Sequence, residues 1–303
     1  MFDLIERGTD GIFPAEELKK KLLSGKTLKI KFGIDPTTPD IHLGHCVALR
    51  KLRQFQDLGH KVILIIGEFT AAIGDPSGKD KTRPMLSKHD IQKNTETYLD
   101  QASKILDTNP NKLEVVSNRK WFNRKFIVSD FIDIAKDFTV QQLLHRDSFR
   151  RRMDVGIEVN LTEFLYPIFQ AFDSVMIEAD VEIGGTDQTF NLQRGRDLMV
   201  KNHLEPQVVI TMPLLVGLDG TEKMSKSKGN HVAITDSPRN MFGKLMSIPD
   251  HLTNMYIELL LDDFQEAIEH PMKRKEAMAH CIVEMFHGKE SAIVAHDDFI
   301  KMF

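Results

Sequence analysis

Residues 31–45 read Lys31-Phe32-Gly33-Ile34-Asp35-Pro36-Thr37-Thr38-Pro39-Asp40-Ile41-His42-Leu43-Gly44-His45, and the fold follows from how this stretch is punctuated. An apolar run from Leu28 to Ile34 predicts a strand, which two prolines and a Thr/Asp cluster then break. From Leu43 onward Val47, Leu49, Leu52 and Phe55 recur at helical spacing, and Gly59 is placed to end that helix after Leu58. The next run, Lys61-Val62-Ile63-Leu64-Ile65-Ile66-Gly67, is nearly continuous and rich in β-branched residues, as in a strand buried on both faces. Strand, helix and buried strand make a βαβ unit of a parallel sheet. His42, Gly44 and His45 then sit at a helix N-terminus, where unpaired N–H groups and the helix dipole favour an anion such as phosphate.

The 303 residues, 41% hydrophobic and 28% charged, allow one large domain and part of a second. A net charge of −4 carries no global nucleic-acid signature, so a polyanion would have to meet a local basic patch. Cys46 and Cys281 lie far apart and offer no disulfide framework; buried thiols in a reducing compartment are expected. The opening Met1-Phe2-Asp3-Leu4-Ile5-Glu6-Arg7 has acidic residues and no long apolar core, unlike a secretory signal. No apolar run approaches the ~20 residues of a bilayer span, and a cytoplasmic location is expected.

Along the chain, Pro14 to Leu23 predicts an amphipathic helix stopped at Gly25. Thr70-Ala71-Ala72-Ile73-Gly74-Asp75-Pro76-Ser77-Gly78-Lys79 follows the buried strand at its carboxyl end, where open α/β sheets place ligands, and Asp80 to Pro84 continue it. His89 to Leu106 reads as helix, Leu113 to Val116 as a short strand, and Phe126 to Leu144 as one or two helices. This middle region, about 76–155, reads as an insertion. Leu161 to Ile177 is a strongly apolar helix carrying Tyr166, Gln170 and Asp173 on one face. Such a triplet must find buried partners or line a polar pocket, because unsatisfied burial costs a few kcal/mol per group. A strand at Ala179 to Ile183, the turn Gly184-Gly185-Thr186-Asp187-Gln188, another helix and a last strand at Gln207 to Leu215 follow. Leu218 to Gly229 is a polar loop bearing Lys223, Lys226 and Lys228, and everything beyond Ser237 reads as helix. The expected fold is α/β: a Rossmann-like parallel sheet with a helical insertion over residues 1–230, then the start of an all-α domain over 231–303. The ending Asp298-Phe299-Ile300-Lys301-Met302-Phe303 stops inside a helical pattern, so the chain reads as cut short.

By itself His42-Leu43-Gly44-His45 fits either half of a metal site or two polar residues at a helix start. Tetrahedral zinc needs further ligands and no companion Cys/His pair lies at usable spacing, so no metal site is expected. The lysine loop alone fits a solvated charge run. In this order, however, His42-Leu43-Gly44-His45 and, after a strand, Lys223-Met224-Ser225-Lys226-Ser227 resemble the paired signature of class I aminoacyl-tRNA synthetases. Gly74 to Lys79, Tyr166-Pro167-Ile168-Phe169-Gln170-Ala171-Phe172-Asp173 and Gly184 to Gln188 are similar to the bacterial tyrosyl-tRNA synthetase family, and the resemblance runs from about residue 4 to the end.

The resemblance implies activation of tyrosine by ATP, with Mg²⁺ arriving on the nucleotide, followed by transfer to tRNA(Tyr). It implies that Asp173 accepts the phenol hydrogen bond and that Asp75, Tyr166 and Gln170 hold the substrate ammonium. Gln188 falls near the carboxylate, with Gly33 and Asp35 also on the tyrosine side. Asp187 falls by the ATP ribose, with Gly185 and Met224 on the nucleotide side, and Gly44 lets adenine approach. His42, His45 and Thr37 face the phosphates, while Lys223, Lys226 and Ser227 form a mobile loop over pyrophosphate, helped by Lys79 and Arg83. A homodimer formed through the middle region is implied as well. One departure stands out: where a large branch of the family has a tyrosine sharing the substrate hydroxyl, this chain has Lys31-Phe32. A tryptophanyl-type enzyme, a nucleotidyltransferase of the same superfamily that uses no tRNA, and a silent paralogue acting as an RNA-binding module are the competing readings. Arg146, Arg150, Arg151 and Arg152 are either acceptor-arm contacts or a solvated basic face.

Overall fold

A computed structural model describes residues 1–37, 40–76, 87–144, 146–264 and 267–302, leaving aside the side chains of Lys88, Asp147 and Ser148. The expected Lys79 and Arg83 lie outside the described residues. In chain order the strands are β1 (Gly11–Phe13), β2 (Lys29–Ile34), β3 (Lys61–Ile66), β4 (Leu113–Ser117), β5 (Val181–Gly185) and β6 (Val208–Met212). The first helices are α1 (Phe2–Glu6), α2 (Ala15–Leu23), α3 (Leu43–Asp57), α4 (Lys88–Ala102), α5 (Val128–Ala135), α6 (Val140–Leu144) and α7 (Asp147–Asp154). They are followed by α8 (Leu161–Ile177), α9 (Thr189–Lys201), α10 (Pro238–Met246), α11 (Thr253–Leu260), α12 (Pro271–His287) and α13 (Lys289–Met302). None of the described helices is long and apolar enough to cross a membrane. Cys46 is a buried free thiol, and Cys281 is free but only half-buried.

The chain separates into two compact units. One holds residues 1–39, 52–97 and 107–212, and the other holds 40–51, 98–106 and 213–303. The first contains the sheet, in the order β1-β6-β5-β2-β3-β4, parallel except for β1 against β6. This is the expected α/β architecture. β1 escapes sequence reading because three residues are too few for an alternation to register. The sheet grows outward in both directions from β2, so the strand order reverses between β2 and β5. There the ladder is short: Ile30 pairs with Val181 and Lys31 with Glu182, while Phe32, Gly33 and Ile34 pair only with β3. A topological switch point of this kind opens a crevice at the carboxyl ends of the strands.

α8 follows from its sequence as expected. Its buried Ile168, Phe169 and Ala171 join an apolar cluster with Ile63, Ile65, Trp121 and Phe122 on one side and Ile134, Leu143 and Leu198 on the other. Its start is capped reciprocally, with the Asn160 N–H donating to Glu163 Oε1 at 2.9 Å, and Arg152 grips the same carboxylate at 2.6 Å. Arg152 is therefore buried, and so is Arg146, which corrects the reading of these two as exposed basic residues; Arg150 and Arg151 do face outward. A run of arginines reads as a solvated face unless long-range partners are known, and both partners here are distant acids.

In the second unit the segment before α3 pairs with residues 232–234: Leu43 N–H donates to Val232 O at 3.0 Å and Ile234 N–H to Ile41 O at 3.1 Å. The lysine loop turns back on the segment just before it, residues 215–217. Gly217 N–H donates to Glu222 O at 2.8 Å and Met224 N–H to Leu215 O at 2.7 Å. The helices α10 to α13 close over Met241, Phe242, Tyr256, Met278 and Ile282, all fully or almost fully buried.

Candidate active site

The polar triplet of α8 enters a connected network within the first unit. Tyr166 donates its hydroxyl proton to Asp35 Oδ2 at 2.9 Å, and Thr70 donates to Asp35 Oδ1 at 2.8 Å. Gly67 permits this arrangement, since a Cβ there would stand 2.0 Å from Asp35 Oδ1 and 2.4 Å from Thr70 Oγ1. Burial, with Asp35 and Asp75 nearby, pushes the Tyr166 phenol far above its ordinary range, so it remains a donor. Gln170 accepts from Asn191 at 3.0 Å and donates to Glu182 at 3.2 Å. Asp75 accepts from Gln188 at 2.7 Å and lies 3.5 Å from Arg146. Asn191 also donates to Gln188 at 3.0 Å, so these side chains are cross-braced.

Asp173 accepts from the Trp121 indole N–H at 2.8 Å. Burial pushes its carboxyl up to about 7, while Lys31, Trp121 and Asn118 pull it down and Glu182 pushes it further up. The group is thus poised between its two protonation states at neutral pH, and a ligand hydroxyl donating to it favours the carboxylate. Gly33 is exposed although β2 is a central strand, and a Cβ there would meet nothing within 4 Å. Open space beside the strand that forks from β5 is where a switch-point ligand belongs.

The second unit holds the histidine signature and the lysine loop together. The His42 and His45 rings lie 3.9 Å apart, with His231 6.2 Å from His42. His42 N–H donates to His45 Nδ1 at 3.3 Å, which assigns the His45 proton to Nε2. His42 Nδ1 is buried and meets no partner among the described residues. Burial, then the neighbouring imidazoles and Lys226, press His42 down to about 2; burial and Lys226 press His45 down to about 4. Both are neutral donors at pH 7 rather than cations. Leu43 N–H is taken by Val232 and His45 N–H bonds back to His42 O at 2.8 Å, so two of the helix-start donors expected to await an anion are already used. Gly44 has a local reason of its own, because a Cβ there would touch the His42 ring at 3.0 Å. Lys226 forms an ion pair with Asp40, and Lys228 with Glu222. Met224 is buried, 3.6 Å from where a Gly44 Cβ would stand, and Asn230 binds the loop backbone, accepting from Ser225 N–H at 2.8 Å. Among the described residues no group of three or more His, Cys, Asp or Glu is placed to hold a metal ion.

The family described as tRNA synthetases class I (W and Y) matches residues 23–303. The chain belongs to this family. It is 47% identical to the tyrosine--tRNA ligase of Thermotoga maritima and 49% identical to that of Aquifex aeolicus, in each case over 99% of this chain and 77% of the relative. In fold it resembles a C-terminally truncated mitochondrial tyrosyl-tRNA synthetase of Aspergillus nidulans, with a TM-score of 0.80 at 21% identity over 99% of this chain and 93% of the other.

Of the residues expected from the family, Tyr166 bonds Asp35, Gln188 bonds Asp75, Asn191 joins Gln188 to Gln170, and Asp173, one turn further along α8, is held by Trp121. Gly185 ends β5 and Asp187 lies in the turn after it. Thr37 lies just past β2, its N–H bonded to Asp35 O at 2.7 Å. His42, Gly44, His45, Lys223, Met224, Lys226 and Ser227 gather in the second unit. Sequence reasoning singles out no role for Gly67, Thr70, Asn118, Trp121, Asn191 or Glu182, because their partners lie far away in the chain. Lys31 stands out in the sequence only as a departure. It is fully buried, and its ammonium already serves Gln170 O at 2.9 Å, Ser174 Oγ at 2.7 Å and Glu182 at 2.8 Å.

Proposed function

We propose that this chain is an ATP-dependent tyrosine--tRNA ligase that forms tyrosyl-adenylate and pyrophosphate and then passes the tyrosyl group to tRNA(Tyr). Catalysis needs no protein nucleophile, because the substrate carboxylate is already ionised at neutral pH and attacks the α-phosphate itself. The residues act by positioning and by meeting charge that grows on phosphoryl oxygens. In this reading Asp173 accepts the phenol hydrogen bond, and Asp75, Tyr166 and Gln170, with Gln188, receive the amino-acid head. His42 and His45 donate neutral imidazole N–H groups to the phosphates, while Lys223, Lys226 and Ser227 close over pyrophosphate. Magnesium enters with ATP as part of the substrate, held mainly by phosphate and water.

The observation that carries the reading is the buried carboxylate of Asp173, anchored by Trp121 on the same helix face as Tyr166 and Gln170. Phenylalanine would leave that group unsatisfied, and a site built to bond a hydroxyl rejects the analogue lacking it; tyrosyl-tRNA synthetases are themselves the standard illustration of this effect. A cytoplasmic homodimer joined through the inserted middle region completes the proposal. Pyrophosphate exchange with tyrosine, tryptophan and phenylalanine tests it: exchange driven by tyrosine is expected, and exchange driven by tryptophan instead would assign the other amino acid of the family.

A further inference from the structure

β2 and β5 separate just beyond the rung formed by Lys31 and Glu182, and the fork they open is the crevice beside Gly33. Both side chains are buried, at 0% and 1% exposure, and both are saturated. Three hydrogens of the Lys31 ammonium meet Gln170 O, Ser174 Oγ and Glu182 Oε1. Glu182 Oε1 also accepts from Gln170 Nε2 at 3.2 Å, and Oε2 accepts from Ser174 Oγ at 3.1 Å and from Gln207. Gly195 of α9 leaves room for the cluster, since a Cβ there would stand 2.6 Å from Gln207 Nε2 and 2.9 Å from Ser174 Oγ. The pair therefore ties both forking strands to the turn of α8 that carries Gln170 and Asp173.

We propose that Lys31 is a positioning residue for the amino-acid pocket: locked to Glu182, it fixes Gln170 and presents Asp173 as a hydrogen-bond acceptor for the substrate. This rests on the tyrosine-pocket reading above. Lys31 has no donor left for a ligand, so it acts by holding the α8 turn at Gln170 O and Ser174 Oγ and by its charge near Asp173 rather than by contact with the ligand. The groups facing Asp173 are Lys31 from β2, Glu182 from β5, Trp121 and Asn118 from the segment after β4, and Tyr166 from its own helix. Lys31 favours the Asp173 carboxylate and Glu182 opposes it. The balance between them governs the pH above which Asp173 is a carboxylate able to accept the phenol hydrogen bond.

The test is pyrophosphate exchange by the full chain, with tyrosine and ATP varied separately across neutral pH, for Lys31→Met, Glu182→Gln, the double variant and Asp173→Asn. Lys31→Met is expected to raise KM for tyrosine roughly tenfold while leaving KM for ATP nearly unchanged. It should move the acidic limb of kcat/KM for tyrosine upward by about one pH unit, and Glu182→Gln should move it downward. The double variant removes both members of the buried pair together and keeps the assay possible if Lys31→Met does not fold. Its limb should return near the wild-type position with KM for tyrosine still raised. Limbs that move together, or a double variant with wild-type KM for tyrosine, overturn the proposal. If Asp173→Asn leaves tyrosine kinetics and the preference over phenylalanine intact, the pocket reading itself falls; if Asp173→Asn is impaired while Lys31→Met behaves as wild type, only the role of Lys31 falls.

Discussion

Single residues here are informative chiefly through what surrounds them. Gly67 carries no side chain, yet the Asp35–Thr70–Tyr166 bonds depend on it, because a methyl group would overlap both Asp35 Oδ1 and Thr70 Oγ1. Gly67→Ala is expected to cost about 1–3 kcal/mol in urea unfolding, as overpacking does, and to weaken tyrosine binding; an unchanged midpoint would show that Gly67 is not needed there. The paired histidines give a pH dependence. Burial holds both below the ordinary histidine value of 6.5, at about 2 for His42 and about 4 for His45. The unfolded chain therefore takes up protons that the folded one refuses, so their contribution is present above pH 6.5 and is lost as pH falls, down to about 4 for His45 and on toward 2 for His42. Urea midpoints should drop over that interval, and His45→Gln should make the drop shallower.

Elements divide the work according to how firmly they are held. α8 is capped, gripped by Arg152 and packed on both sides, which suits a helix that must hold Tyr166, Gln170 and Asp173 still. The lysine loop is held through Asn230, Leu215, Gly217 and, nearer the surface, the Lys226–Asp40 ion pair. That pair is about a third exposed on each side, so it is worth about 1 kcal/mol at most. Lys226→Ala should leave the melting temperature almost unchanged and lower the rate of pyrophosphate exchange, with KM for tyrosine unaltered. A rise in KM for tyrosine alone would place Lys226 with the amino acid instead of the phosphates.

At the scale of the molecule, the middle region proposed to join the dimer exposes apolar side chains that a solvated surface does not need. Ile127, Val128 and Ile132 are 59%, 74% and 57% exposed at the start of α5, and Val140 is 65% exposed at the start of α6. Light scattering is expected to give twice the 34.6 kDa chain mass, and Ile132→Glu to halve that value; a monomeric wild type would remove the proposed dimer.

The sequence by itself determined the βαβ unit, the one-faced triplet of α8 and the paired histidine and lysine signatures, because each is a local pattern of period, punctuation or order. It also flagged Lys31 as a departure without saying what the residue does. Tertiary structure alone decided that Lys31 is buried against Glu182, that Trp121 holds Asp173, that Arg146 and Arg152 turn inward, and that the histidines are neutral. These depend on groups brought together from distant parts of the chain and on the water they exclude. Burial and long-range pairing set charge state and orientation, and neither leaves a periodic trace in sequence.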